Sequence, residues 1–267
     1  FLPGWRLEDI MISYAAEGGS VGPHFDQYDV FLIQASGRRH WQLGPLCDDD
    51  TRLRGDVPLK MLAHMPVESE YTAGPGDVLY LPPGVAHHGV ALDSDCVTWS
   101  VGFRAPDYRD LLAEVVAETL AETPTRLYAD PGRAPVADPG RLDAGERDAM
   151  LDAALALFDR DAGRRALARW LSTPRQTGLD FLIDPAHIRA ADPDAALVRH
   201  GGVRLLVVDD TAWLNGEAWP LRGSQAALAG LLARQRRYTN DELAAVLDAD
   251  SRPLLDHWID QGYFAEL

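Results

Sequence analysis

The residues with the clearest chemical potential are His24, Asp26 and a histidine pair further along the chain. His24 and Asp26 stand between the glycine-rich stretch GGSVGP and the apolar segment YDVFLIQ, which is typical of a strand. Residues two apart in a strand project to the same face, so both side chains can reach one metal ion. His87 or His88, in the segment PPGVAHHG, is the predicted third ligand.

Two imidazoles and one carboxylate leave three octahedral positions open, which suits non-haem Fe(II) with a chelating co-substrate and dioxygen. Zinc usually takes three or four ligands in a tetrahedron and is the less natural occupant. A lone His-x-Asp triplet is common in surface loops. Its context strengthens the hypothesis, because the unit from Gly76 to His87 (GDVLYLPPGVAH) has the turn, strand and turn with which cupin-type barrels return a distal histidine to the barrel mouth.

Arg38 and Arg39, which follow Gly37, are the candidates for binding that co-substrate. Alternation along the strand after Gly37 places Arg39 and Trp41 on one face. Arg38 and His40 then lie on the other face. An inward arginine in a small barrel is costly unless an anion meets it, and a dicarboxylate would do so through two parallel hydrogen bonds. Without the metal triplet, a solvated basic turn would be the preferred interpretation.

Hydroxyl side chains on two other predicted strands are further candidates for contacts with the co-substrate. Thr98 and Ser100 share one face of the TWSVGF strand, and Ser13 lies on the MISY strand. Each of the three is equally compatible with packing inside the barrel.

Composition limits the classes of partner. The chain has 267 residues with a formal net charge of -16, and 46% of its residues are hydrophobic. Its two cysteines make no disulfide framework, and no apolar stretch is long enough for a membrane span, so we expect a cytoplasmic protein. An acidic surface argues against nucleic acid and favours a basic protein partner.

The character of the sequence changes twice, which predicts an α+β multidomain chain. Residues 1–108 read as an all-β module and 109–196 as an α-helical module, with helices predicted over 143–160 and 163–171. Residues 197–267 read as a winged-helix-like module, with a hairpin turn at Asn215-Gly216 and a capping box in TNDE.

The strings WRLEDIMISYAAEGGSVGPHFDQYDVFLIQASGRRHWQLG, GDVLYLPPGVAHHG and WSVGFRAP closely resemble the bacterial ribosomal oxygenases of the JmjC type, which are cupin-like arginine hydroxylases. The resemblance implies a double-stranded β-helix (the cupin or JmjC jelly roll), a helical dimerisation domain and a C-terminal winged helix. It implies Fe(II), 2-oxoglutarate and dioxygen, with hydroxylation of an arginine β-carbon in the sixteenth large-subunit ribosomal protein. Family members also have a segment ahead of WRLEDIMIS that these residues do not include.

Carried over by residue, the resemblance gives His24, Asp26 and His87 as iron ligands and Arg39 as the partner of the far carboxylate of 2-oxoglutarate. Thr98 stands where relatives often have asparagine, so its role stays open. A substrate arginine needs acidic or aromatic neighbours, for which the candidates next to the motif are Glu17, Tyr28 and Asp29.

Two further expectations concern the remaining modules. The stripe Leu151, Ala154, Leu155 and Phe158 is either an intramolecular core or, as the resemblance favours, a homodimer surface. The last module has ten acids and seven arginines, which argues for protein contact rather than DNA. The alternative function is a non-catalytic cupin sensor with a winged-helix regulatory domain; a cupin isomerase or dioxygenase would more often use a His-x-His pair and a glutamate.

Overall fold

Strands form the first unit of the chain, Phe1–Pro106, because its apolar runs are short and separated by glycine-rich turns. The structure is a computed structural model that describes residues 3–135, 138–174 and 185–267. After a 3-10 turn at Gly4–Arg6, the strands of this unit are β1 (Leu7–Ala15), β2 (Asp29–Ser36), β3 (Arg39–Leu46), β4 (Ser69–Ala73), β5 (Val78–Leu81), β6 (Val85–Ala91) and β7 (Cys96–Phe103).

These strands form two antiparallel sheets, with the orders β1-β7-β2-β5 and β4-β3-β6. Buried side chains from both sheets meet in one core cluster, which consists of Val30, Leu32, Trp41, Ala73 and Leu81. Because both sheets contribute to the same core, their inner faces pack against each other. This is the two-sheet arrangement of the jelly roll that the resemblance implies.

The outer face of the four-stranded sheet is apolar and exposed. Ile12 on β1 pairs with Trp99 on β7, and Trp99 pairs in turn with Ile33 on β2, which faces Val78 on β5. Ile12 is 65% exposed, Trp99 45% and Val78 55%. Contiguous apolar patches of this kind are uncommon on the free surface of soluble monomers.

Gly37 forms the turn that connects β2 of the four-stranded sheet to β3 of the three-stranded sheet. Its φ of 62° lies in the left-handed region, and a Cβ at this position would come within 2.8 Å of the Cα of Cys96. Only glycine therefore fits both the turn and the close approach. In β3, Arg39 and Trp41 are both buried, so they share one face, as the predicted alternation requires.

The second unit, Asp107–Leu267, combines helices with two small sheets. Its helices are α1 (Tyr108–Glu122), α2 (Ala144–Leu155), α3 (Arg160–Ser172), α4 (Pro185–Ala191), α5 (Gln225–Arg234), α6 (Asn240–Ala244) and α7 (Arg252–Asp260). Its strands are β8 (Ala195–Arg199), β9 (Leu205–Val208), β10 (Thr211–Leu214), β11 (Glu217–Pro220), β12 (Arg237–Thr239) and β13 (Phe264–Glu266). The sheet orders are β11-β10-β9 and β12-β8-β13.

The helical part differs from the prediction at one point. The helix expected over 143–160 ends at Leu155, and α3 begins at Arg160 because the Asp159 side chain caps it by accepting from the Asp161 backbone N–H. The stripe predicted on this segment is not a core within the chain: Leu155 is 55% exposed and Phe158 44%.

Large apolar side chains form the core of the C-terminal part, among them Leu197, Tyr238, Trp258 and Phe264. The predicted hairpin at Asn215-Gly216 joins β10 to β11, and the predicted capping box from Thr239 to Glu242 opens α6. The predicted division at residue 196 is not resolved by the two-unit partition and stays a prediction; residues 136–137 and 175–184 of the predicted middle module lie outside the described residues. No described helix combines the length and the apolarity that crossing a bilayer requires.

Candidate active site

Backbone pairing brings the two halves of the predicted metal triad together. His24 forms an isolated antiparallel bridge with His87 of β6, with N–H to O distances of 3.0 and 2.8 Å. Asp26 is fixed nearby, because its carbonyl accepts from the Gly84 N–H at 2.7 Å. The triplet therefore lies in the segment before β2, held by β6, rather than on a strand of its own.

One ligand atom from each of His24, Asp26 and His87 lies within 4.8 Å of the others. The His87 Nε2 is 3.7 Å from an Asp26 carboxylate oxygen, and the two imidazole rings have centroids 4.3 Å apart. Such a cluster of two imidazoles and a carboxylate has the spacing and the donor types that bind a divalent transition metal.

Hydrogen bonds prepare both imidazoles for that role. The Nδ1 of His24 lies 2.9 Å from the Gly22 carbonyl, and the Nδ1 of His87 lies 3.0 Å from the Val85 carbonyl. A carbonyl only accepts, so each Nδ1 carries the proton and each Nε2 keeps its lone pair for a metal. Burial also lowers the pKa of His87, which favours the neutral ring that a metal needs.

His88 lies elsewhere. Its Nδ1 is 3.3 Å from the Gln42 side-chain carbonyl, on the opposite face of β6 from His87. Of the two histidines that the spacing left open, His87 is the one that the structure brings to His24 and Asp26.

Arg39 is buried on the inner side of β3, with 6% of its surface exposed. Its Nε and Nη2 atoms have no hydrogen-bond partner among the described residues. Its neighbour Arg38 points outward and pairs with Asp93 at 3.1 Å. A buried guanidinium with open donors needs an anion, because it cannot lose its proton.

The hydroxyl candidates are placed differently from one another. Thr98 is 2% exposed, and its hydroxyl donates to the Gln34 side-chain carbonyl at 2.9 Å. That proton is therefore not available to a carboxylate. The Ser13 hydroxyl donates to the Thr98 backbone carbonyl at 3.3 Å, while Ser100 is half-buried in β7. Gln34, buried at 1% exposure beside Thr98, is a polar residue of this face that the sequence reasoning missed, although alternation along β2 could have found it.

The three candidates for substrate binding differ in exposure and in their hydrogen-bond partners. Glu17 is exposed, and Tyr28 is half-buried with its hydroxyl beside Asp26, so that burial and the Asp26 carboxylate raise the pKa of Tyr28. The structure does not favour Asp29 as a substrate-binding acid. Both of its carboxylate oxygens already have partners, the Arg6 guanidinium and the Tyr80 hydroxyl. Asp29 is thus a structural ion-pair partner rather than a free acid for substrate.

Comparisons with known proteins agree with this geometry. Residues 1–111 match the model of the JmjC domain. The chain is 34% identical to the ribosomal protein uL16 3-hydroxylase of Escherichia coli, over 98% of this chain and 72% of that protein. It is 45% identical to a probable ribosomal oxygenase of Haemophilus influenzae over 42% of this chain and 28% of that protein.

Solved structures give the same result. The X-ray structure of E. coli YcfD superposes with a TM-score of 0.82 at 32% identity, covering 99% of this chain and 72% of that one. The structure of YcfD in complex with cobalt and 2-oxoglutarate superposes with a TM-score of 0.77 at 32% identity, covering 99% and 71%. The chain belongs to the JmjC-type ribosomal oxygenases, enzymes that use Fe(II) and 2-oxoglutarate.

Proposed function

We propose that this chain is an Fe(II)- and 2-oxoglutarate-dependent dioxygenase that hydroxylates the β-carbon of an arginine in ribosomal protein uL16. The observation that carries the proposal is Arg39, a buried guanidinium with two open donors in the same barrel as the cluster of His24, Asp26 and His87. A metal cluster alone would fit many reactions. A metal cluster with an unmatched inward arginine fits a metal and a dicarboxylate together.

The residues present fit the metal. His24 and His87 would hold Fe(II) through Nε2, because each Nδ1 faces a backbone carbonyl, and Asp26 would supply a carboxylate oxygen. When bound, the iron with 2-oxoglutarate and dioxygen supplies the oxidising power for insertion of one oxygen atom into a C–H bond.

The protein's own contribution is binding and exclusion of water. Arg39 would donate Nε–H and Nη2–H to the far carboxylate of 2-oxoglutarate, which fixes the distance of the co-substrate from the metal. Because Arg39 and His87 are both almost fully buried, these charge interactions act away from bulk water. We assign Ser13 and Ser100 to supporting contacts on this face and Thr98 to holding Gln34.

A ribosomal protein substrate is supported by the relative from E. coli, whose name states uL16 as its substrate, and by the net charge of -16, which attracts a basic protein. Glu17, which is exposed close to the metal cluster in the chain, is the acid that we propose for the substrate arginine. Tyr28 beside Asp26 would support the metal ligand instead.

The proposal extends to the second unit. Exposed Leu151, Leu155 and Phe158 around α2 support a homodimer built on the helical module 109–196. The acid excess of module 197–267 supports a winged helix that contacts protein rather than DNA. A ribosomal protein as substrate supports a cytoplasmic enzyme.

The test is incubation of the protein with Fe(II), 2-oxoglutarate and uL16, followed by mass spectrometry of uL16 peptides. We expect one added oxygen on an arginine, with succinate formed in equal amount. Succinate formation without added oxygen on uL16 would overturn the proposal that uL16 is the substrate. Binding of metal and 2-oxoglutarate without any turnover would favour the sensor alternative.

A further inference from the structure

The indole of Trp41 neighbours both Arg39, the proposed partner of 2-oxoglutarate, and His87, a proposed metal ligand. Its ring centroid is 5.7 Å from the Arg39 guanidinium carbon, which is within the range of a cation–π interaction. On the His87 side, the ring centroids are 6.1 Å apart with an interplanar angle of 51°. One rigid side chain, 6% exposed, therefore neighbours both the residue proposed for 2-oxoglutarate and a proposed metal ligand.

Gly89 provides the space for this indole. Trp41 and Gly89 are paired across β3 and β6, two residues from His87 along the strand. A Cβ at position 89 would lie 2.5 Å from the Trp41 Cζ3 atom and 2.7 Å from Cη2, which no real contact tolerates. The backbone of Gly89 is not in the left-handed region, so the glycine is required by the indole and not by the turn of the chain.

An aromatic partner suits Arg39 for an electrostatic reason. A carboxylate beside the guanidinium would offset its charge and occupy some of its donors, which would weaken its attraction for an anionic ligand. The negative face of an indole stabilises the cation without accepting from Nε or Nη2. Both of those atoms remain open in this structure.

We propose that Trp41, seated on Gly89, is a positioning residue that holds Arg39 and His87 in their mutual geometry, so that 2-oxoglutarate binding and metal binding depend on the same side chain. The inference rests on the function proposed above. A purely structural role is the competing explanation, because Trp41 also belongs to the core cluster with Leu81.

The experiment compares Trp41→Leu with Leu81→Ala in the full chain. Leu81 is 2% exposed in the same cluster, so its truncation costs stability in the same core. Calorimetric titration with Co(II) alone, and with 2-oxoglutarate in the presence of Co(II), gives the two affinities, and thermal unfolding gives Tm. We expect Trp41→Leu to weaken each affinity by about tenfold, whereas Leu81→Ala lowers Tm and leaves both affinities as in the wild type.

Two more variants keep the test independent of folding. Trp41→Phe retains a smaller aromatic face and should recover part of the 2-oxoglutarate affinity that Trp41→Leu loses. Gly89→Ala should displace the indole and weaken both affinities, but should add little in a Trp41→Leu background, where the clash is gone.

Unchanged affinities in Trp41→Leu would overturn the inference, as would equal losses in Leu81→Ala. A wild-type protein that binds neither Co(II) nor 2-oxoglutarate would overturn the proposed function itself, and this inference with it.

Discussion

Two regions of the same barrel bury an arginine, and they treat its charge in opposite ways. Arg104, 3% exposed at the end of β7, places its Nε against the Glu8 carboxylate of β1. Arg39, 6% exposed on the inner side of β3, has two nitrogen atoms without any partner among the described residues. Burial alone does not distinguish the two arginines; the matching of their charge does.

The difference separates architecture from chemistry. An arginine whose charge is matched within the chain ties two strands together, and its charge no longer favours an anionic ligand. An arginine whose donors stay open costs stability until an anion arrives, so its presence in a folded protein points to a ligand. Substitutions of these and other charged residues test whether a matched charge serves the fold and an unmatched charge serves a ligand.

The largest effect is expected at the proposed metal cluster of His24, Asp26 and His87. His87→Ala removes a proposed metal ligand, so succinate production should fall to the background of metal-free protein. His88→Ala removes a neighbouring imidazole on the opposite face and should reduce it far less. Succinate assays at saturating Fe(II) and 2-oxoglutarate would measure both, and equal losses would show that the ligand assignment is wrong.

Arg39→Leu tests the unmatched arginine. Loss of two charge-assisted hydrogen bonds should raise the KM for 2-oxoglutarate by about 100-fold. The free energy of unfolding should not fall, because a buried unpaired charge is replaced by an apolar side chain. Initial rates and urea denaturation measure the two quantities. A large loss of stability would mean that Arg39 has a matching group within the fold.

Arg104→Leu tests the matched arginine and should give the reverse pattern. The Glu8 carboxylate would lose its ion-pair partner, so we expect the free energy of unfolding to fall by about 2 kcal/mol. The 2-oxoglutarate affinity should stay as in the wild type. The same urea denaturation series, run beside Arg39→Leu, provides the comparison, and a selective loss of co-substrate binding would contradict it.

The smallest effect is expected for Asp248, whose negative charge is stabilised by neutral hydrogen-bond donors. In the second unit, hydrogen bonds from Ser224 and from the Ser251 backbone hold the pKa of Asp248 at about 2, below its ordinary value. A lowered carboxyl pKa contributes stability above the unfolded-state pKa of about 4 and loses it as pH falls toward 2. Asp248→Asn should therefore be less stable than wild type at pH 7, and the difference should shrink over that window in denaturation curves recorded at several pH values. A difference independent of pH would contradict the assignment.

What the sequence could predict depended on local pattern. Alternation after Gly37 predicted that Arg39 and Trp41 share one face, and the Asn215-Gly216 pair predicted a hairpin, because both depend on residues close together in the chain. The choice between His87 and His88 from the residues alone needed the strand register, which spacing does not reveal.

Partners far away in the sequence could not be predicted. Asp29 was a substrate candidate because it is an acid next to the motif, but its partners Arg6 and Tyr80 lie 23 and 51 residues away. Thr98 was a cofactor candidate because of its face on the strand, but Gln34, which takes its hydroxyl proton, lies 64 residues away. Neither pairing leaves a signal in the local sequence.

The outer face of the four-stranded sheet exposes apolar side chains, although the interior of the same barrel holds charged and imidazole groups beside its apolar core. Ile12, Trp99 and Val78 face water, while Arg39 and His87 are enclosed. Such a surface adsorbs to other apolar surfaces as protein concentration rises. Polar substitutions intended to limit such adsorption therefore belong on that outer face, where they leave Arg39 and His87 untouched.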